Sequence, residues 1–128
     1  MKNLEKEILK YLKDRHWDDL RPSDLAKSIM IEGAELLELF QWENLSLEEV
    51  KKNKKKIEEI KKELADVMIY GLEMSVLFGF DTKKIVRKKL AHINRKYPVK
   101  LMRKVKEGGK KDNAHYYRIK KEYRKNRK

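Results

Sequence analysis

The stretch IEGAELLELFQW, residues 31–42, decides the fold. Most of it reads as a buried helix, with Leu36, Leu37, Leu39 and Phe40 close together. Yet Glu32, Glu35 and Glu38 recur at every third position among them. Residues three apart lie on neighbouring turns of one helix face. Like charges so placed repel, and a carboxylate beside an apolar face loses hydration.

A related pattern follows in ELAD, residues 63–66. Glu63 and Asp66 are again three apart, beside Leu64, Val67 and Met68, and Tyr70 stands one turn on from Asp66. If the two helices pack antiparallel, four carboxylates converge. Four acids at close range raise one another's pKa and cannot all ionise unaided. A divalent cation resolves this: Mg²⁺ prefers oxygen ligands and keeps positions for water or phosphate. Facing helices of a bundle are an established way to build such a site. Either pair alone is more often a solvated edge that pairs with lysines. Two pairs on two apolar helices, each followed by an aromatic residue, are harder to read that way.

The whole chain reads as helical, with no convincing strand. A first helix covers about 3–14, with Leu4, Ile8, Tyr11 and Leu12 on one face. Pro22 disfavours helix at Arg21, and a second helix runs from Ser23 or Asp24, either of which can cap it, to Trp42. Ser46 and Glu49 have capping-box spacing. The lysine-rich run 51–56 reads as a solvated stretch or short break before a long helix to Leu77. Gly79 suits the end of that helix. Another helix spans about 82–95 and stops before Pro98.

The 128 residues suit one domain with one modest core. Charged residues reach 43%, and there are only five Gly and two Pro, a mixture that favours long helices with solvated outer faces. The absence of cysteine excludes disulfides and zinc–thiolate sites. No apolar run approaches the ~18 residues of a membrane span. The N-terminus lacks the apolar core of a signal peptide, so the expected location is the cytoplasm. The net charge of +13 resembles a nucleic-acid signature until it is partitioned. Residues 101–128 carry +9 of it, and residues 1–100 only +4.

Taken together, IEGAELLELFQW, EIKKELADVMIYGL and INRKYPV resemble the MazG-like, all-α nucleoside triphosphate pyrophosphohydrolase superfamily, nearest its dCTP pyrophosphatase-like branch. DRHWDDL, residues 14–20, resembles the aromatic segment upstream, so the likeness covers about 11–99. ExxE and ExxD alone are weak motifs; with FQW, the Tyr of VMIY and the Asn-to-Pro block in order, the set becomes fairly specific.

The resemblance implies an all-α, four-helix-bundle-like fold: a catalytic domain over 1–100 with a basic tail over 101–128 that could form a short helix. It implies hydrolysis of a (deoxy)nucleoside triphosphate to monophosphate and pyrophosphate with Mg²⁺, Mn²⁺ being a substitute, in cleansing of the nucleotide pool. Glu32, Glu35, Glu63 and Asp66 would hold the metal, with Glu35 as base. Trp17, Trp42, Tyr70, Asn94 and Lys96 would contact substrate. Packing is the plainer alternative for Trp17, Trp42 and Tyr70, and helix-dipole charge for Lys96. Glu38 and Glu73 read as supporting or solvated groups. Family members form dimers or tetramers, so a homo-oligomer is expected.

The segment after Pro98 departs from the family's closing block, which leaves open how the site closes. Two readings from other classes stand beside this one. The tail, with Tyr116, Tyr117 and Tyr123 among its cations, could bind nucleic acid. The bundle could also be an inactive scaffold.

Overall fold

The computed structural model describes residues 2–102, Lys121, Arg124 and Lys125. All regular structure among the described residues is helical: α1 (Lys2–Asp14), α2 (Pro22–Glu38), α3 (Leu47–Lys51), α4 (Lys54–Leu77) and α5 (Thr82–Lys96). Two compact units follow one another along the chain, Met1–Thr82 and Lys83–Lys128. Most of the basic segment 101–128, with its expected short helix and nucleic-acid role, lies outside the described residues. Among those described, no helix is long and apolar enough to cross a membrane.

In the first unit α4 is the shared wall. The helices α1, α2 and α3 all pack against it. The buried core is Ile8 and Leu12 of α1 with Leu72 of α4, flanked by Leu20, Val76 and Leu77. Of the four residues expected on the buried face of α1, Leu4 and Tyr11 remain substantially exposed. Many other apolar side chains are also open to solvent, among them Met30, Leu37, Leu64 and Met68.

The ends of the helices show where local chemistry prevails. The expected cap at Ser23 or Asp24 is not used. The N-cap is Arg21, in extended conformation, and Pro22 takes the first helical turn. There its missing N–H removes a donor that would go unpaired anyway. Asp24 instead receives the Arg21 Nε–H at 2.9 Å. At its other end α2 stops at Glu38, short of Trp42. Leu39 and Phe40 tighten onto carbonyls three residues back, Leu36 and Leu37. Lys56, in the first turn of α4, pairs with Glu43 and sits 5.3 Å from the Phe40 ring centroid, which holds this turn against α4.

Ser46 caps α3 by accepting the Glu49 N–H at 3.2 Å. Its hydroxyl donates to the Glu49 carboxylate at 3.0 Å. Asn53 caps α4 by accepting from the Lys56 N–H at 3.1 Å. After α4, Gly79 adopts φ +70°, as its place at the helix end requires. The reversal brings the Ser75 and Thr82 hydroxyls to 2.5 Å, both buried.

After α1, His16 adopts φ 58°, and the Trp17 N–H donates to the Leu12 carbonyl at 2.8 Å. This turn lays Trp17 edge-on against Tyr11, with ring centroids 5.9 Å apart.

The second unit contains α5 from its second residue, Lys83, and Ile85, Val86, Leu90 and Ile93 of that helix are exposed. The helix ends where Tyr97 N–H closes onto Ile93, and helical turns resume at Val99 beyond Pro98.

Replacing Gly79 by Ala should cost about 1–2 kcal/mol, because a Cβ is unfavourable at positive φ. Leu12→Ala should cost more, about 2–5 kcal/mol, for the cavity left in a small core. Urea unfolding of the two variants should give that order.

Candidate active site

Four carboxylates meet where α2 packs on α4. Contacts run from Glu43 with Lys56 at the turn to Glu32 and Glu35 with Glu63 and Asp66 further along. As numbers fall on α2 they rise on α4, so the two helices are antiparallel. The i, i+3 spacing places both acids of each helix on its facing side. One oxygen from each of Glu32, Glu35, Glu63 and Asp66 lies within 4.8 Å of all the others.

The environment of the four is not uniform. Glu35 is the exposed member; the other three are partly buried. Glu32 Oε2 and Glu63 Oε2 are enclosed without any hydrogen-bond partner. An enclosed carboxylate oxygen without a donor loses hydration and gains nothing in return.

Titration reflects the crowding. A hydrogen bond with Glu32 does most to hold the Glu35 carboxyl above the ordinary glutamate value. The Glu32 charge, burial and the Glu38 charge add to this, while a hydrogen bond with Glu63 opposes it. Glu63 is raised chiefly by burial, then by the charges of Glu35 and Asp66.

An all-oxygen, strongly anionic donor set with two orphaned oxygens fits a hard divalent cation. Among the described residues this cluster offers no thiolate or imidazole ligand.

The other expected site residues fall in different places. Tyr70 is one turn beyond Asp66 on α4, and burial raises its phenol pKa, helped by the charges of Glu73 and Glu32. Trp17 is 45% exposed against Tyr11. Trp42 is 87% exposed in the turn after α2. Asn94 and Lys96 belong to the second unit, near and at the end of α5, where the Lys96 ammonium lies 5.3 Å from the Tyr97 ring centroid.

Residues 27–111, more than half the chain, match the MazG-like family. The chain belongs to that family. The crystal structure of a pyrophosphatase from Archaeoglobus fulgidus DSM 4304 is similar to it, with a TM-score of 0.66 and 37% sequence identity. That likeness covers 77% of this chain and 92% of the archaeal one. No curated protein matches this chain. The expected family and all-α class therefore hold.

One residue of this MazG-like chain has two readings from sequence that its burial separates, and the solvated one falls. Glu73, expected to be supporting or solvated, is only 5% exposed, and burial raises its pKa. The signal was present: Asp66, Tyr70 and Glu73 stand at i, i+4 and i+7, one helical stripe. Glu73 lines an open cavity of about 640 Å³ between α1 and α4, and Asp66 lines the same cavity.

The raised pKa values of Glu35 and Glu63 fix the sign of a pH effect. A carboxyl that binds its proton more tightly folded than unfolded stabilises fully below the ordinary glutamate value. That stability is lost as pH rises through the folded value. Metal-free protein should therefore lose stability from this cluster as pH rises from the ordinary glutamate value, about 4.3, through the raised folded values. Glu35→Gln should flatten that slope in urea unfolding. Mg²⁺ or Mn²⁺ should raise the unfolding temperature of the unmodified chain near pH 7, and much less that of a Glu35→Gln/Asp66→Asn variant.

Proposed function

We propose that this chain hydrolyses a (deoxy)nucleoside triphosphate to the monophosphate and pyrophosphate, with Mg²⁺ held by Glu32, Glu35, Glu63 and Asp66. The observation that carries the reading is the convergence of those carboxylates, with two oxygens buried and unpaired. Membership of the MazG-like family and the likeness to an archaeal pyrophosphatase support the class of reaction.

When bound, the cation neutralises triphosphate oxygens and acidifies the attacking water. The chain's own part is positioning and proton transfer. Glu32 and Glu63, on opposite helices and partly enclosed, form the rigid floor of the site. Glu35, the exposed member, takes the water proton on its carboxylate as the α,β-anhydride bond breaks and pyrophosphate leaves. Tyr70 orients the substrate from the next turn of α4, and Trp17 offers a flat apolar surface beside Tyr11. Asn94 and Lys96 are assigned to substrate contact, Lys96 suiting a phosphate oxygen. Trp42, exposed in the turn after α2, is assigned to substrate contact as well. The physiological role is cleansing of the nucleotide pool.

The chain works as a homo-oligomer on this reading, a dimer or tetramer, because Met30, Leu37, Leu64 and Met68 leave apolar surface that a second copy would cover.

The test is pyrophosphate release across canonical and modified (d)NTPs with Mg²⁺. Wild type should produce monophosphate and pyrophosphate in equal amounts. Glu35→Gln should lower the rate by at least about 100-fold, as loss of a general base does. Release of orthophosphate instead, or equal rates from both proteins, would refute the assignment.

A further inference from the structure

The mechanism above leaves one buried titratable group unused, and that group stands in the wall of a cavity. The cavity between α1 and α4 holds about 640 Å³, within the roughly 300–1,000 Å³ usual for small-molecule sites. Leu4, Ile8, Ala65, Met68, Ile69 and Leu72 give it apolar walls. Glu73 is 5% exposed there, and among the described residues no cation pairs with it. Loss of hydration raises its pKa. A leucine would pack at such a position without that cost.

The lining also excludes one end of a nucleotide. Its charged residues are Glu7, Asp66 and Glu73, all acidic, and its other titratable groups are Tyr11 and Tyr70. Among the described residues no lysine or arginine lines it. A triphosphate would be repelled, whereas a neutral flat heterocycle with N–H groups on its edge suits apolar walls and a carboxyl acceptor. Asp66 belongs both to this cavity and to the carboxylate cluster. A ligand filling the cavity thus lies beside the site proposed for the phosphates. Trp17, edge-on to the cavity residue Tyr11, extends the aromatic surface next to it.

We propose that this cavity receives the nucleobase of the substrate, and that Glu73 selects bases presenting an exocyclic amino group. The proposal rests on the nucleotide reading above. The amino N–H donates to the Glu73 carboxyl. A base with a carbonyl at that place brings an acceptor against an acceptor, and the buried carboxyl is left unsatisfied. Glu73 contacts the base and takes no part in the hydrolysis.

The experiment is binding of nucleosides, which carry no phosphate, to the full chain in metal-free buffer, followed by ligand-observed NMR titration. Two matched pairs differ only in the group at issue: cytidine against uridine, and adenosine against inosine. In at least one pair, wild type should bind the amino member about tenfold more tightly. Glu73→Leu should abolish that preference while keeping the fold, since leucine suits the apolar wall. Glu73→Gln, which retains an acceptor oxygen, should keep part of it. Lys6→Gln, an exposed change on α1 outside the cavity lining, should leave it intact. Absence of nucleoside binding, equal binding within both pairs, or a preference that survives Glu73→Leu would overturn the proposal. These outcomes stand apart from the pyrophosphate assay, because a nucleoside has no anhydride to cleave. An enzyme that releases pyrophosphate but fails here loses only the role given to Glu73.

Discussion

The packing of α2 against α4 forces four carboxylates into one small volume, and most of what is notable in this molecule follows from that constraint. A helix pair chosen for stability alone would put apolar or oppositely charged groups at this crossing. Here Glu32, Glu35, Glu63 and Asp66 are crowded together, which raises the proton affinity of Glu35 and Glu63, and two oxygens of the cluster are buried without donors. The rest of the first unit supplies what holds the repelling pair together. Leu25 is buried on α2, and α1 clamps the far end of α4 through Ile8, Leu12 and Leu72. The Lys56 contacts with Glu43 and Phe40 fasten the connecting turn. A cation between the four acids would turn this repulsion into attraction.

The helix α4 serves two faces of the site at once. It runs 24 residues without a break, and an α-helix fixes the angle and rise between its side chains. Glu63 and Asp66 turn toward α2, while Asp66, Tyr70 and Glu73 run along the wall shared with α1. From Asp66 to Glu73 the rise is about 10 Å. The carboxylate cluster and the cavity wall therefore share a rigid ruler, and neither depends on a loop for its register.

The exposed apolar surface is the other consequence of so small a core. The first unit buries few side chains fully, and leaves Met30 and Leu37 of α2 and Leu64 and Met68 of α4 open. That pattern suits a chain whose faces are completed by a second copy. The basic balance does not alter this picture, since most of it lies in 101–128 and the part that builds the site is nearly neutral.

Periodicity in the chain was enough for the all-α class, the extent of α1 and α5, the end of α4 at Leu77, the capping residue Ser46 and the helix-ending Gly79, because each depends on neighbours a few residues away; the start of α4 at Lys54 falls inside the lysine-rich run read as a break. The two acid pairs were legible for the same reason, as i, i+3 spacing puts each on one face whatever surrounds it. Convergence of the pairs needed the antiparallel register of α2 and α4, which no local pattern specifies. The early stop of α2 at Glu38 was equally hidden, because Lys56, across the turn, holds Glu43 and Phe40 there. Glu73 shows the limit most clearly. Its stripe with Asp66 and Tyr70 could be read in the sequence, but its burial could not. Whether a glutamate on that stripe meets water or an apolar wall is decided by α1, more than fifty positions away in the chain.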